Sequence, residues 1–328
     1  LVDNGYISRL IENGAVIKTA FCGPCFGAGD VPANNGLSVR HTTRNFESRE
    51  GSKPSGGQLA AVALMDARSI AATAKNGGVL TAATEIDYTE KAKKYTFCDN
   101  IYKARVFDGV GKADPSAQLR YGPNIADWPK MQPLKENLLL KVASVLTDPV
   151  TTTDELIPSG ETSSYRSNPL KLAEFALSRK DPQYVGRAKA IQAEDMPDVA
   201  GADRENTTYG SVVCAVKPGD GSAREQAASC QRVLGGAANI AVSYATKRYR
   251  SNVINWGMLP FLAEKNDFAV GELIFVPDVR KKLLRGDTEF PAKVYGGNPR
   301  GVLLKIDPLT ADEKEIVAKG CLINFYAK

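Results

Sequence analysis

The sequence predicts an α/β protein. Strand-like and helix-like segments alternate at short intervals between Gly210 and Asn255, and further strand-like runs follow at Glu272–Val276 and Arg300–Ile306. Alternation at this spacing builds helices onto a sheet, and the later strands add a β-rich layer. The 328 residues suit two domains or one large one, and 43% hydrophobic with 24% charged residues is the balance of an ordinary globular chain with a sizeable core.

Val16–Phe21 reads as a strand in a Gly-rich opening stretch. Leu59–Ala74 reads as one Ala-rich helix, since Leu59, Val62, Ala63 and Ile70 share a helical face. Asn76-Gly77-Gly78 stops it, because glycine tolerates the left-handed cap, and Val79–Thr81 then reads as the start of a strand. From Thr89 to Pro123, Lys, Asp, Gly and Pro are frequent, and the stretch reads as a crossing between domains. A second domain begins near Asn124. Within it Leu138–Ala143 and Gly210–Val216 are strands, the latter ending at Pro218-Gly219. Ala223–Leu234 is a helix closed by Gly235-Gly236, Asn239–Ala245 a strand and Lys247–Asn255 a helix.

Composition narrows the chemistry. No run of about 18 apolar residues occurs, which argues against a membrane span. The net charge of +5 is spread with acids interleaved, so a nucleic-acid footprint is not the first reading, and small anionic substrates suit the surplus of Arg equally well. Six Cys with one close pair fit a reducing cytoplasmic setting better than a disulfide scaffold. The single His, His41, excludes a multi-His metal site from within the chain. The chain opens on Leu1 with no secretory signal, and the natural N-terminus is expected upstream.

Four segments carry candidate chemistry. Cys22-Gly23-Pro24-Cys25 places two thiols at a spacing that chelates one soft metal centre, the alternative being two buried structural thiols. Arg40-His41-Thr42-Thr43-Arg44-Asn45-Phe46-Glu47-Ser48-Arg49 gathers guanidinium groups that bind carboxylates as forks, unless it is a solvated basic loop. Gly219-Asp220-Gly221-Ser222-Ala223-Arg224-Glu225 is a Gly-rich turn leading from a strand into a helix. The free N–H groups of such a helix start favour an anion and ease deprotonation of a serine placed there, although Ser222 as a plain N-cap is the alternative. Thr151–Pro158 with Tyr165-Arg166-Ser167-Asn168-Pro169 is a polar loop with one Arg.

In this order the four resemble the aconitase family. Cys22-Gly-Pro-Cys25-Phe-Gly resembles its cluster-binding CGPC(I/F)G, and Thr43-Arg44-Asn45-Phe46-Glu47-Ser48-Arg49 its NRNFxGR. Gly219-Asp-Gly-Ser222-Ala-Arg224-Glu225 resembles GEGSSRE, Thr152-Thr153-Asp154 with Arg166 downstream resembles TTDHI and a later substrate Arg, and Asn252–Pro260 resembles TNLKKQGxLP. The resemblance implies that residues 1–95 are the C-terminal part of a cluster-binding α/β/α domain. It makes 96–123 a linker and 124–328 a swivelling β/β/α domain that closes as a lid. It implies a [4Fe–4S] hydro-lyase acting on a hydroxy di- or tricarboxylate such as citrate or isocitrate. Cys22 and Cys25 would be cluster ligands, Arg44, Arg49, Arg166 and Arg224 substrate-binding, and Ser222 the base. The iron would act as Lewis acid on the leaving hydroxyl.

The sequence departs from the family at Thr43, Ala223 and Gln226, and Thr153-Asp154-Glu155-Leu156-Ile157-Pro158 is closer to the small subunit of isopropylmalate isomerase. The third cluster Cys and the acid groups are expected in N-terminal domains upstream of Leu1, so the chain alone is expected to be inactive and without a cluster. The alternatives are a cluster-free relative that binds RNA, through a run such as Lys247-Arg248-Tyr249-Arg250, and a relative that keeps the fold without the chemistry.

Overall fold

The computed structural model describes residues 1–18, 33–41, 59–87, 96–158, 162–221, 224–297 and 299–327. The chain divides between Ser116 and Ala117 into two units.

The first unit begins with α1 (Tyr6–Glu12). A two-stranded parallel sheet pairs β1 (Leu37–Arg40) with β2 (Ala61–Leu64), Leu37 beside Ala61 and Arg40 beside Leu64. Helix α2 (Ala67–Lys75) starts at Asp66, whose carboxylate accepts from the N–H groups of Arg68 and Ser69. The expected helix over Leu59–Ala74 is therefore two elements. The Ala-rich half would form a helix alone, but pairing with β1 holds Ala61–Leu64 extended, and the Asp66 cap sets the true helix start. The helix ends at Asn76, and Gly77 and Gly78 adopt positive φ. Val79–Thr81 is not a strand: the Thr81 N–H donates to Thr73 Oγ1 (3.0 Å), which ties this segment back onto α2. Val16–Lys18 is likewise no strand, and Thr19–Phe21 lies outside the described residues. Helix α3 (Asn100–Arg105) lies within the stretch read as a crossing.

The second unit is built on a closed seven-stranded barrel. Its parallel side runs β3 (Asn137–Leu146), β5 (Thr207–Ala215), β7 (Gly236–Ala241) and β8 (Leu259–Leu262). Its antiparallel side is β9 (Leu273–Val276), β10 (Glu289–Tyr295) and β11 (Arg300–Lys305), with β11 joining β8 and β9 joining β3. Sequence and structure agree closely on β3, β5, β9 and β11, while the strand expected at Asn239–Ala245 is shifted to 236–241. β7 is buried at every residue, as a parallel strand covered on both faces should be, whereas β10 alternates buried and exposed.

Outside the barrel stand β4 (Thr151–Thr152), α4 (Thr153–Leu156), α5 (Pro169–Ala173), α6 (Tyr184–Ala193), β6 (Pro218–Asp220), α7 (Arg224–Val233) and α8 (Lys247–Asn255). Three further helices follow: α9 (Val279–Arg285), α10 (Ala311–Lys319) and α11 (Leu322–Tyr326). Leu138, Leu140, Val142, Ile240, Phe261 and Phe290 belong to one core. Ala143 and Leu146 join a second core with Leu172, Tyr184, Tyr249 and Val253 of the helices. Each fully buried apolar side chain of this size contributes about 1.5–3 kcal/mol.

Candidate active site

The candidate site of the second unit grows from the C-terminal ends of two adjacent parallel strands. β3 and β5 run together from Asn137 beside Thr207 to Leu146 beside Ala215. The chain leaving β3 reaches Thr151–Asp154, and the chain leaving β5 reaches Gly219–Arg224.

The two motifs meet. β4 pairs in parallel with β6, Thr151 beside Pro218 and Thr152 beside Asp220, and the Thr151 N–H donates to the Lys217 carbonyl (3.0 Å). Thr152 then caps α4: its hydroxyl oxygen accepts from the Glu155 N–H (3.2 Å), and Glu155 accepts the Thr152 N–H in return (2.8 Å). The acids of this motif are tied down. Arg179 donates to Asp154 (2.8 Å), and Lys180 bridges Asp148 (2.9 Å) and Glu155 (3.3 Å). The hydrogen bond to Asp148 raises the Lys180 pKa, so this bridge stays charged.

Opposite lies the glycine turn. Gly219 (φ 95°) and Gly221 (φ 115°) take a backbone region that favours glycine. Thr246, the N-cap of α8, donates its hydroxyl to the Gly219 carbonyl (3.1 Å), and the Ala245 N–H donates to the Pro218 carbonyl (3.0 Å). Tyr249 packs on Gly219. The Tyr249 hydroxyl donates to Asn239 Oδ1 (2.7 Å) and accepts from Gln231 Nε2 (3.1 Å), and Asn239 Nδ2 donates to Gln231 Oε1 (2.7 Å). Burial pushes the Tyr249 pKa far up, which keeps the phenol protonated. A closed polar network in the core thus fixes the turn.

Gly221 and Arg224 bracket Ser222 in the chain, and Arg224 opens α7. Ser222 itself lies outside the described residues, as do Cys22, Cys25, Arg44 and Arg49, and of Arg224 only the backbone is described. Arg166 is exposed and stands just before α5, which begins at Pro169 with Asn168 capping it, and α5 packs against α7. The structure therefore gathers the threonine motif, the Arg166 turn and the start of α7 in one unit. His41 lies at the end of β1, where its Nδ1 is 3.1 Å from the Met65 carbonyl oxygen.

Sequence reading missed the support of this turn. Thr246 and Tyr249 carry no motif signal. Nor does Trp256, whose Nε1 donates to Glu225 (3.1 Å) and whose ring stands 4.3 Å from Trp128. Glu225 keeps solvent-exposed surface, yet desolvation raises its carboxyl pKa and the Trp256 N–H works against the rise.

Two family models match the chain: that of the aconitase family (aconitate hydratase) over residues 1–72, and that of the aconitase C-terminal domain over residues 167–266. The chain belongs to the aconitase family. Over 283 residues it is 25% identical to the mitochondrial aconitate hydratase of Saccharomyces cerevisiae, covering 78% of this chain and 36% of that protein. It is 23% identical to the mitochondrial homocitrate dehydratase of the same yeast, covering 98% of this chain and 45% of that protein. It is also 37% identical over 84 residues to a 3-isopropylmalate dehydratase large subunit of Rubrobacter xylanophilus, covering 25% of this chain and 19% of that subunit. The chain thus spans less than half the length of these relatives. A solved 3-isopropylmalate dehydratase from Methanocaldococcus jannaschii superposes on 58% of this chain and 92% of its own, with TM-score 0.40 at 22% identity, too low to bear on the fold.

The first matched segment contains Cys22, Cys25, Arg44 and Arg49, and the second contains Ser222 and Arg224. No group of three or more His, Cys, Asp or Glu among the described residues could hold a metal. Cys98 is exposed, and Cys214, Cys230 and Cys321 are buried in the second unit. Burial pushes the Cys214 and Cys230 thiols far up, so in the free protein they stay protonated. Among the described residues no helix is long and apolar enough to cross a membrane.

Proposed function

We propose that this chain supplies the proton-abstracting and carboxylate-binding half of a hydro-lyase that dehydrates and rehydrates a hydroxy di- or tricarboxylate such as citrate or isocitrate. The observation that carries the reading is the pairing of Thr151–Thr152 with Pro218–Asp220. It joins two family motifs more than sixty residues apart in sequence and seats the turn before Ser222 on a buried network.

A proton on carbon beside a carboxylate is weakly acidic, so the negative charge that develops needs fixed cations. Arg166 and Arg224 in the second unit and Arg44 and Arg49 in the first are proposed to provide them, each keeping its charge through the reaction. Ser222 is proposed as the base. Arg224 at the next-but-one position and the positive end of α7 lower the cost of its alkoxide. Cys22 and Cys25 are the proposed thiolate pair for an iron–sulfur cluster. The roles proposed for this chain's other residues concern the proton and the carboxylates.

The resemblance of the first unit to a cluster-binding α/β/α domain and of the second to a swivelling domain is part of the same proposal. Binding of RNA draws little support. In the run Lys247–Arg250, Tyr249 is buried, and Arg250 donates to the Asp307 carbonyl (2.9 Å).

The test uses the full-length protein, reconstituted anaerobically with iron and sulfide and offered citrate, isocitrate, methylcitrate and isopropylmalate in turn. Turnover of one acid that falls about 10²–10⁴-fold in Ser222→Ala supports the assignment of a general base. Turnover that survives the substitution removes Ser222 from the mechanism, and a reconstituted protein that turns over none of the acids removes the proposed substrates.

A further inference from the structure

The proposed carboxylate grip of the second unit has two halves, Arg166 on the turn before α5 and Arg224 at the start of α7. A third stretch of chain reaches both. Residues 117–136, which open the second unit and lead into β3, contain no helix or strand. An irregular stretch longer than about 12–15 residues inside a compact unit is uncommon without a role.

This strap is fastened through its backbone. The Ala126 N–H donates to the Ser167 carbonyl (3.0 Å) and the Leu134 N–H to the Ala318 carbonyl (3.1 Å). In return Asn324 Nδ2 donates to the Met131 carbonyl (2.8 Å), and Arg232 donates to the Gln132 carbonyl (2.9 Å). Gly320 admits the close approach, since a Cβ there would overlap the Gln132 carbonyl.

Two of the strap's contacts fall on the motif elements. Ser167 directly follows Arg166, in a turn closed by the Asn168 N–H donating to the Tyr165 carbonyl (2.8 Å). Trp128 packs on Trp256, ring centroids 4.3 Å apart, and Trp256 Nε1 donates to Glu225 (3.1 Å), the residue after Arg224 in the first turn of α7. Ala126 and Trp128 are two positions apart, so one short piece of the strap touches both halves of the grip.

We propose that Ala126–Trp128 is a clasp that holds the Arg166 turn and the first turn of α7 in one arrangement, with Trp128 as a positioning residue for carboxylate binding. What the clasp serves rests on the hydro-lyase reading; the clasp itself does not. The glycine turn before Ser222 is held separately, by Thr246 and Tyr249. Loss of the clasp should therefore be felt in substrate binding more than in proton abstraction.

The test uses the full-length protein as Trp128→Ala and Trp128→Phe, followed by amide hydrogen exchange and, after reconstitution, by turnover of the acid that the parent accepts. Trp128 is 39% exposed, so its removal should leave the core intact, and unchanged exchange in β3 and β5 checks this. In Trp128→Ala, exchange at residues 163–168 and 224–230 should quicken about tenfold, from the loss of the ring pair and its packing. Trp128→Phe keeps a ring against Trp256 and should restore most of the protection. KM should rise several-fold in Trp128→Ala with kcat changed less, and Trp128→Phe should bring KM back. Unchanged exchange at either segment overturns the clasp. Faster exchange with an unchanged KM, or a loss confined to kcat, overturns its role in binding. A parent that turns over none of the acids sinks the hydro-lyase reading instead, and the exchange result still decides the clasp.

Discussion

A side chain on Gly219 would overlap the ring of Tyr249. The backbone of the glycine turn and the buried tyrosine are therefore one packing unit. A residue with no motif signal decides where the turn before Ser222 can run.

Gly219→Ala should destabilise the second unit by about 2–4 kcal/mol, from the positive φ and from overpacking. Both tryptophans of the chain, Trp128 and Trp256, lie in this unit, so their emission during urea unfolding reports on it alone. Pairing the change with Tyr249→Ala should recover the overpacking part but not the backbone part, giving a favourable coupling energy in a double-mutant cycle. Strict additivity would show that the two residues do not touch.

Tyr249→Phe keeps the ring over Gly219 and removes the hydroxyl shared by Asn239 and Gln231. The expected cost is about 1–3 kcal/mol, because each amide loses a buried partner. In the active protein the change should lower kcat more than it raises KM, since it loosens the turn that carries the proposed base rather than a substrate contact.

Glu225 gives stability a pH dependence of known sign. Desolvation raises its carboxyl pKa in the folded state. The folded protein then binds a proton more tightly than the unfolded chain does, so its contribution is fully present below the unfolded carboxyl pKa of about 4.3 and is lost as pH rises through the raised folded value. Glu225→Gln should remove that slope. Urea midpoints taken from acid to neutral pH should separate from the parent as pH rises and converge again at the acid end. Parallel curves would mean that Glu225 is not perturbed.

The pair Glu272–Arg300 (2.8 Å) carries the opposite sign. Burial works to raise the Glu272 pKa, but hydrogen bonds from Arg300 and the Ala269 N–H outweigh it and hold the carboxyl below its ordinary range. Its contribution is present above the unfolded carboxyl pKa and is lost as pH falls through the depressed one. Glu272 is 7% exposed, so Arg300→Met, which leaves it unpaired, should cost about 2–4 kcal/mol at neutral pH and less in acid. A loss that does not shrink in acid would assign the effect to packing.

The sequence by itself determined the strands that carry runs of Val and Leu, above all β3 and β5, because a strand buried on both faces is largely apolar. It determined α8 to the residue, and it exposed the motifs because their chemistry needs particular residue types at short spacing. It misjudged Leu59–Ala74, where pairing with β1 outweighed helix propensity. It had no means of finding short strands such as β8 or the small helices α4 and α5, whose stability comes from neighbours rather than from local periodicity. Only the tertiary structure decided that the antiparallel strands close the sheet into a barrel, that Thr152 stands beside Asp220, and that Tyr249 sits under Gly219. Each of these relations joins residues far apart in the chain through backbone pairing or close contact, and neither leaves a pattern in the sequence at either partner.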